Sequence, residues 1–168
     1  MNLRQPFCDA EILRWCLSHA TVLKISDEEL PEVGRLLGIP SIIAQPTGED
    51  VDLELTEWAT ESACDLLAQA PQCRMVAITL GPHGSLLANR EQAHRHDGFP
   101  TLVADTIGAG DAFTAGLVHA YLRQASLAQI NTVSNLCGSY VASQQGATPE
   151  LPPELLARIR ETLVQVAA

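Results

Sequence analysis

Asp105-Thr106-Ile107-Gly108-Ala109-Gly110-Asp111, running on as Ala112-Phe113-Thr114-Ala115-Gly116-Leu117, is a glycine-rich turn that feeds directly into a helix. The first amides of a helix have no partner inside it, and the aligned peptide dipoles add partial positive charge there. Glycines let the backbone approach a phosphate closely, so a turn of this kind makes an anion hole. The plain alternative is an ordinary helix start. Asp111 is then a first-turn carboxylate that favours the dipole, and the glycines only make a turn. A carboxylate set against an anion hole repels the anion and needs a reason to be there. A general base for a hydroxyl attacking a phosphoryl group is such a reason, taking the proton while the amides stabilise the transferred group.

Outward from this turn the chain reads as strands flanked by helices. Residues 74–80 hold Met75, Val76, Ala77, Ile78 and Leu80 almost without interruption, as in a strand buried on both faces of a parallel sheet. Gly81-Pro82-His83-Gly84 is a turn, and 85–88 returns as a strand. Shorter strands are expected over 21–25, 91–96 and 101–104. Apolar spacing predicts a helix over 9–20 capped by Asp9, with Ile12, Leu13, Cys16 and Leu17 on one face. A second helix, capped by Ser26 or Asp27, runs to about Leu37, where Gly38 and Pro40 stop it. After a polar turn at 47–50, a longer helix over 52–70 places Leu55, Trp58, Ala59, Ser62, Ala63, Leu66 and Leu67 on one stripe. Three more are expected over 108–123, 126–143 and 153–166. The fold class is therefore α/β, a Rossmann-like layered sheet flanked by helices.

Composition narrows the function. The 168 residues carry 20 acidic and 10 basic side chains, a net charge of −10, which argues against nucleic acid or an anionic membrane as partner. No apolar run is long enough to cross a bilayer, and the first ten residues lack the apolar core of a signal peptide. Cysteines at 8, 16, 64, 73 and 137 are odd in number and form no C-x-x-C pair, as expected of buried or partly buried thiols in a reducing cytoplasm. His94 and His96 suit one strand face, but no third metal ligand accompanies them. Trp15 and Trp58 read as core or interface packing, and His83 as a solvated turn residue.

Two competing motifs fail. Phe113 occupies the position where the dinucleotide fingerprint needs a small residue, and no Gly-Lys-Ser/Thr run makes a Walker A loop. Instead, the stretch 105–113 resembles the C-terminal signature of the ribokinase-like (PfkB) sugar kinases. Further segments follow in that family's order. Asn2-Leu3-Arg4-Gln5-Pro6-Phe7 is similar to the end of its D-x-N-x-R strand, and Leu23-Lys24-Ile25-Ser26-Asp27-Glu28-Glu29-Leu30 to its N-x-x-E segment. Ile78-Thr79-Leu80-Gly81-Pro82-His83-Gly84 is similar to its nucleotide loop, and Gly146-Ala147-Thr148-Pro149 to its late turn. The wording at Asn2 to Phe7 and at Gly146 to Pro149 is nearest to fructokinases.

The resemblance implies an ATP-dependent transfer of the γ-phosphate to a sugar hydroxyl, with fructose as the first sugar to test. Asp111 would be the catalytic base, with the amides of Gly108, Ala109 and Gly110 as the anion hole. Thr79, Leu80, Gly81 and Gly84 would run along the ATP phosphates and ribose, with Ser26 nearby and Asn135 at the nucleoside. Glu29 would organise Mg2+ through water. Asp105, the carbonyl of Ile107 and the backbone near Val141 and Gly146 match the K+ site of some members. Each has a plainer alternative: Glu29 as a solvated helix carboxylate, 79–84 as a hairpin turn, Asn135 as a polar residue on an exposed helix face.

The chain departs from the family in two ways. Ser26 stands where asparagine is usual. The resemblance also starts inside the D-x-N-x-R strand, so the chain corresponds to the C-terminal half of the ribokinase-like fold. The expectation is a single partial domain over 1–168, lacking the N-terminal half with its lid and sugar site. Such a cut sheet invites self-association or pairing with a complementary N-terminal polypeptide, and little sugar kinase activity from this chain alone. The reading from a different class is an inactive or trans-complemented nucleotide-binding module, a remnant of such a kinase.

Overall fold

The computed structural model describes residues 9–43, 45, 46 and 51–164. The segment Asn2 to Phe7, Cys8, the polar turn at 47–50 and the expected helix end at 165–166 lie outside the described residues. The chain gathers into two compact units divided between Arg95 and His96.

The first unit is built on a mixed sheet of β1 (Val22–Ser26), β2 (Met75–Thr79), β3 (Ser85–Ala88) and β4 (Ala93–His96), in that order. β2 runs parallel to β1 and antiparallel to β3. Met75, Val76, Ala77 and Ile78 are all buried, as the unbroken apolar run requires. The long crossover between the parallel strands contains α2 (Leu30–Leu37), α3 (Pro40–Ile43) and α4 (Val51–Gln69). All seven residues of the expected α4 stripe are buried, and all but Ser62 join the main core with Ile25, Ile78 and Leu86. The Arg90 guanidinium donates to the carbonyls of Leu67 and Ala70, at 3.0 and 3.1 Å, closing the C-terminal end of α4. A tight turn at Asn89 leads into β4, the Asn89 carboxamide oxygen accepting the amides of Glu91 and Gln92.

Several expectations are corrected here. α1 (Ala10–His19) is capped by Asp9 as expected, with Asp9 Oδ1 accepting the Ile12 amide at 2.8 Å. It buries only Leu13 and Leu17, however, so Ile12 and Cys16 lie exposed. Cys64 is exposed as well, and Trp15 is 63% exposed, so neither thiol nor this indole is core. Neither Ser26 nor Asp27 caps α2. The chain first makes a turn over 27–29, and the helix starts at Leu30 with a proline in its first turn. Gly38 ends α2 in the left-handed conformation, φ +73°, its amide donating to Gly34. Pro40 then starts the short helix α3, whose entry suits a residue with no amide hydrogen to satisfy.

The second unit contains α5 (Ala109–Tyr121), α6 (Leu127–Ala142) and α7 (Pro153–Val164). α5 and α6 pack closely because residue 116 is glycine: a Cβ there would lie 3.0 Å from both the Val133 carbonyl and Cys137 Sγ. Ser126 and Gln129 form a capping box at the start of α6. Gln129 Nε2 also donates to the Thr162 carbonyl at 2.7 Å, fixing α7. The expected strand over 101–104 does not form. Leu102 is 92% exposed, and the amides of Ala104 and Asp105 donate to the Ala142 carbonyl at the end of α6 instead of to a neighbouring strand.

Candidate active site

Two turns carry the expected site residues, one in each unit. In the first unit the carboxyl ends of β1 and β2 lie side by side, with Ser26 opposite Thr79. The open end of a parallel pair is where α/β sheets place ligands. The Asp27 amide donates to the Thr79 carbonyl at 2.9 Å, and Thr79 Oγ1 donates to the Ile25 carbonyl at 3.4 Å. Leu80 is buried and anchors the following turn, in which Gly81 and Gly84 have φ of +54° and +82°. A Cβ on Gly81 would meet nothing within 4 Å, so the conformation rather than crowding calls for glycine there.

Glu29 Oε2 accepts the Ser26 amide at 3.0 Å and its hydroxyl at 3.2 Å. The carboxylate therefore holds the turn after β1 and is not merely a solvated helix residue. Two neighbours were not foreseen as site residues. Asp27 lies between Ser26 and Glu29, half-buried, and burial pushes its carboxyl above the usual range, with the Glu28 and His83 charges and the Glu28 amide as smaller influences. His83 is not simply solvated, because its Nδ1 lies 2.7 Å from Asp52 Oδ1 in the first turn of α4. The pairing spans 31 residues, and no local sequence signal marks it.

In the second unit Asp105 is the hub. Its Oδ1 accepts the Ile107 amide at 2.9 Å, and its Oδ2 accepts the Gly146 amide at 3.2 Å. Gly108 precedes α5 with φ +80°. A Cβ there would come within 2.8 Å of the Ala147 Cα and closer still to the Ala147 carbonyl oxygen. Of the three amides expected to form an anion hole, that of Ala109 donates to the Thr106 carbonyl at 3.2 Å. Among the described residues no protein acceptor faces those of Gly108 and Gly110. The Asp111 carboxylate is exposed in the first turn of α5.

The remaining expected residues fall as follows. Asn135 is buried on α6, not on an exposed face, and its Nδ2 donates to the Asn131 carbonyl and Oδ1 at 2.9 and 3.0 Å. Val141 is buried, and its carbonyl accepts the Gln144 amide at 3.0 Å. Asp105 and Gly146 of the expected K+ set are brought together directly, but by a hydrogen bond between them. Among the described residues no three His, Cys, Asp or Glu side chains gather into a metal cage. Mg2+ keeps several waters and takes one or two carboxylate oxygens together with substrate phosphates. Glu29 and Asp27 are oxygen donors of that kind.

A sheet with turns at the carboxyl ends of its parallel strands, and a glycine turn opening a helix, defines a layered α/β protein of ribokinase-like fold. The aminoimidazole riboside kinase of Salmonella enterica, solved with aminoimidazole riboside and an ATP analogue, has a TM-score of 0.68 and 25% identity, covering 97% of this chain and 50% of its own. Phosphofructokinase-2 of Escherichia coli, solved with potassium, has a TM-score of 0.69 at 19% identity, covering 94% of this chain and 46% of its own. The family model for pfkB family carbohydrate kinases matches residues 1–154, and the chain belongs to that family. Escherichia coli fructokinase is 28% identical over 162 residues, which is 90% of this chain and 46% of that enzyme. The ATP-dependent ribose-1-phosphate kinase of Halopiger xanaduensis is 34% identical over 74 residues, 44% of this chain and 25% of that enzyme. The chain thus spans about half or less of the relatives it matches. Among the described residues no helix is long and apolar enough to cross a membrane.

Proposed function

We propose that this chain is the nucleotide-binding and catalytic-base part of an ATP-dependent sugar kinase, with fructose as the acceptor to test first. The observation that carries the reading is the Gly108–Gly110 turn, which leaves two amides without a protein acceptor beside an exposed carboxylate at a helix start. In this role Asp111 takes the proton of the attacking sugar hydroxyl. The Gly108 and Gly110 amides stabilise negative charge on the transferred phosphoryl group, and the Ala109 amide holds the turn in shape. Residues 79–84 present backbone to the ATP phosphates and ribose, Asn135 lies toward the nucleoside, and Glu29 positions hydrated Mg2+. The metal neutralises phosphate charge when bound. Asp105, with the carbonyls of Ile107 and Val141 and the Gly146 backbone, is the candidate monovalent-cation site. Fructose is favoured by the similarity to Escherichia coli fructokinase along 90% of this chain.

A second reading is favoured by Ser26, whose hydroxyl donates to Glu29 Oε2 where the resemblance expects asparagine. Here the chain is a nucleotide-binding module without sugar kinase turnover. Thermal unfolding with and without MgATP tests what the two readings share, nucleotide binding. At a hundredfold excess over Kd, a ligand specific for the folded state adds about 2.7 kcal/mol. An unfolding transition that MgATP leaves in place refutes both. Phosphoryl transfer to fructose then separates them: the first reading requires turnover that collapses in Asp111→Asn while the MgATP shift survives. Turnover unchanged by that substitution rules out Asp111 as the base.

A further inference from the structure

α5, α6 and α7 border an open cleft of about 620 Å³ that is lined by none of the residues assigned above. Its accessible apolar wall is formed by Leu151, Leu156 and Leu163, over a floor that includes the buried Val133, Cys137 and Ile159. Its polar groups are His119, Arg123 and Arg160, all exposed, and no carboxylate lines it. In a chain with 20 acidic and 10 basic side chains, the local charge is the reverse of the whole. Arg123 is held in place: its Nη1 donates to the His119 carbonyl at 3.1 Å and stands 3.3 Å from His119 Nδ1. Partial burial, and then the Arg123 charge, push the His119 imidazole below its usual range.

The volume and the mix of an apolar wall with a few convergent polar groups are those of a small-molecule site. A bare inorganic anion would leave the apolar wall wet, and a neutral hydrocarbon would leave the guanidinium donors without an anionic acceptor. We propose that this cleft binds a small amphipathic anion, a monocarboxylate with an aliphatic or aromatic body. The body lies against Leu156 and Leu163, and the carboxylate engages Arg123 and Arg160. The site is separate from the proposed phosphotransfer residues and does not depend on them.

Calorimetric titration of the purified chain with octanoate tests this, with 1-octanol as the neutral isostere and inorganic phosphate as the bare anion. Octanoate binds saturably at one site per chain. Octanol and phosphate bind at least about tenfold more weakly, as the loss of a charge-assisted hydrogen bond or of apolar burial implies. The Arg123→Gln, Arg160→Gln double variant keeps its cooperative thermal transition and loses at least about tenfold in octanoate affinity. MgATP does not displace octanoate. Absence of saturable octanoate binding overturns the proposal, as does equal affinity for octanol or for phosphate. Affinity retained in the double variant or displacement by MgATP also overturns it. The isostere comparison stands on the parent chain, so a double variant that fails to fold leaves that refutation in force.

Discussion

Gly81 and Gly108 occupy the two turns and differ in one respect that a paired substitution isolates. Both have positive φ, +54° and +80°. Placing alanine in that region costs about 1–2 kcal/mol at either position. At Gly81 nothing lies within 4 Å of a Cβ, so the cost stops there. At Gly108 the Cβ runs into Ala147 backbone, with Cα at 2.8 Å and the carbonyl oxygen nearer. Backbone cannot rotate aside as a side chain can. Forced shifts of packed atoms cost about 1–3 kcal/mol, which brings Gly108→Ala to about 3 kcal/mol in total. In a chain of this size each kcal/mol moves the melting temperature by about 2–4 °C. Gly81→Ala is then expected to lose about 2–8 °C and Gly108→Ala about 6–12 °C, read by thermal unfolding followed by circular dichroism. The larger shift also reaches the site, because the same loop supplies the Gly146 amide to Asp105. Gly108→Ala is therefore expected to blunt any stabilisation by MgATP. Equal losses in the two variants, or a smaller loss at Gly108, refute the reasoning from crowding.

Two further predictions concern the first unit. Arg90→Ala removes a cation and its hydrogen bonds from the C-terminal carbonyls of α4, which costs about 1 kcal/mol, with partial recovery in Arg90→Lys; an unchanged urea midpoint contradicts the capping role. Asp27 is held above the ordinary aspartate value of 3.8, so just above that pH the folded state binds more protons than the unfolded one and stability falls as pH rises through the folded pKa. Asp27→Asn removes that loss, so its advantage over the parent grows as pH is raised from about 3.8 and levels off once the folded carboxyl has ionised. Urea midpoints of the pair measured across that window give the difference, and a flat or falling difference counts against burial as the cause.

Much of the fold was legible because it rests on long periodic signals. The α4 stripe has seven positions over three turns, and each of them is buried. The apolar run at β2 is long enough to imply cover on both faces. The failures have a common physical origin, in that they depend on neighbours. Thr101, Leu102 and Val103 favour a strand locally, but a strand needs a ladder partner, and here the amides that follow are taken by the end of α6. α3 has only four residues, too few to show a period, and its proline reads equally well as a stop or a start. Cys16 and Cys64 resemble core residues by type, but the rotation of each helix decides exposure, and α1 presents only Leu13 and Leu17 inward.

The site divides along the same line. Glycines were legible as turn formers, but the reason for each was not. At Gly81 the sequence argument from conformation suffices. At Gly108 the nearest obstacle to a side chain is not a phosphate but Ala147, in a loop fixed through the Gly146 amide 41 residues from Asp105. The close approach expected for a ligand is thus already used by the protein itself. Beside it, the Asp105 carboxylate accepts the Ile107 amide, and the proposed anion hole would use the amides of Gly108 and Gly110. The signature from Asp105 to Asp111 therefore reads as two devices in one stretch. Its first half fastens one loop to another, through the Asp105 carboxylate on the Gly146 amide. Its second half, Gly110 and Asp111, faces outward and is the part whose loss should show in phosphate chemistry before it shows in stability.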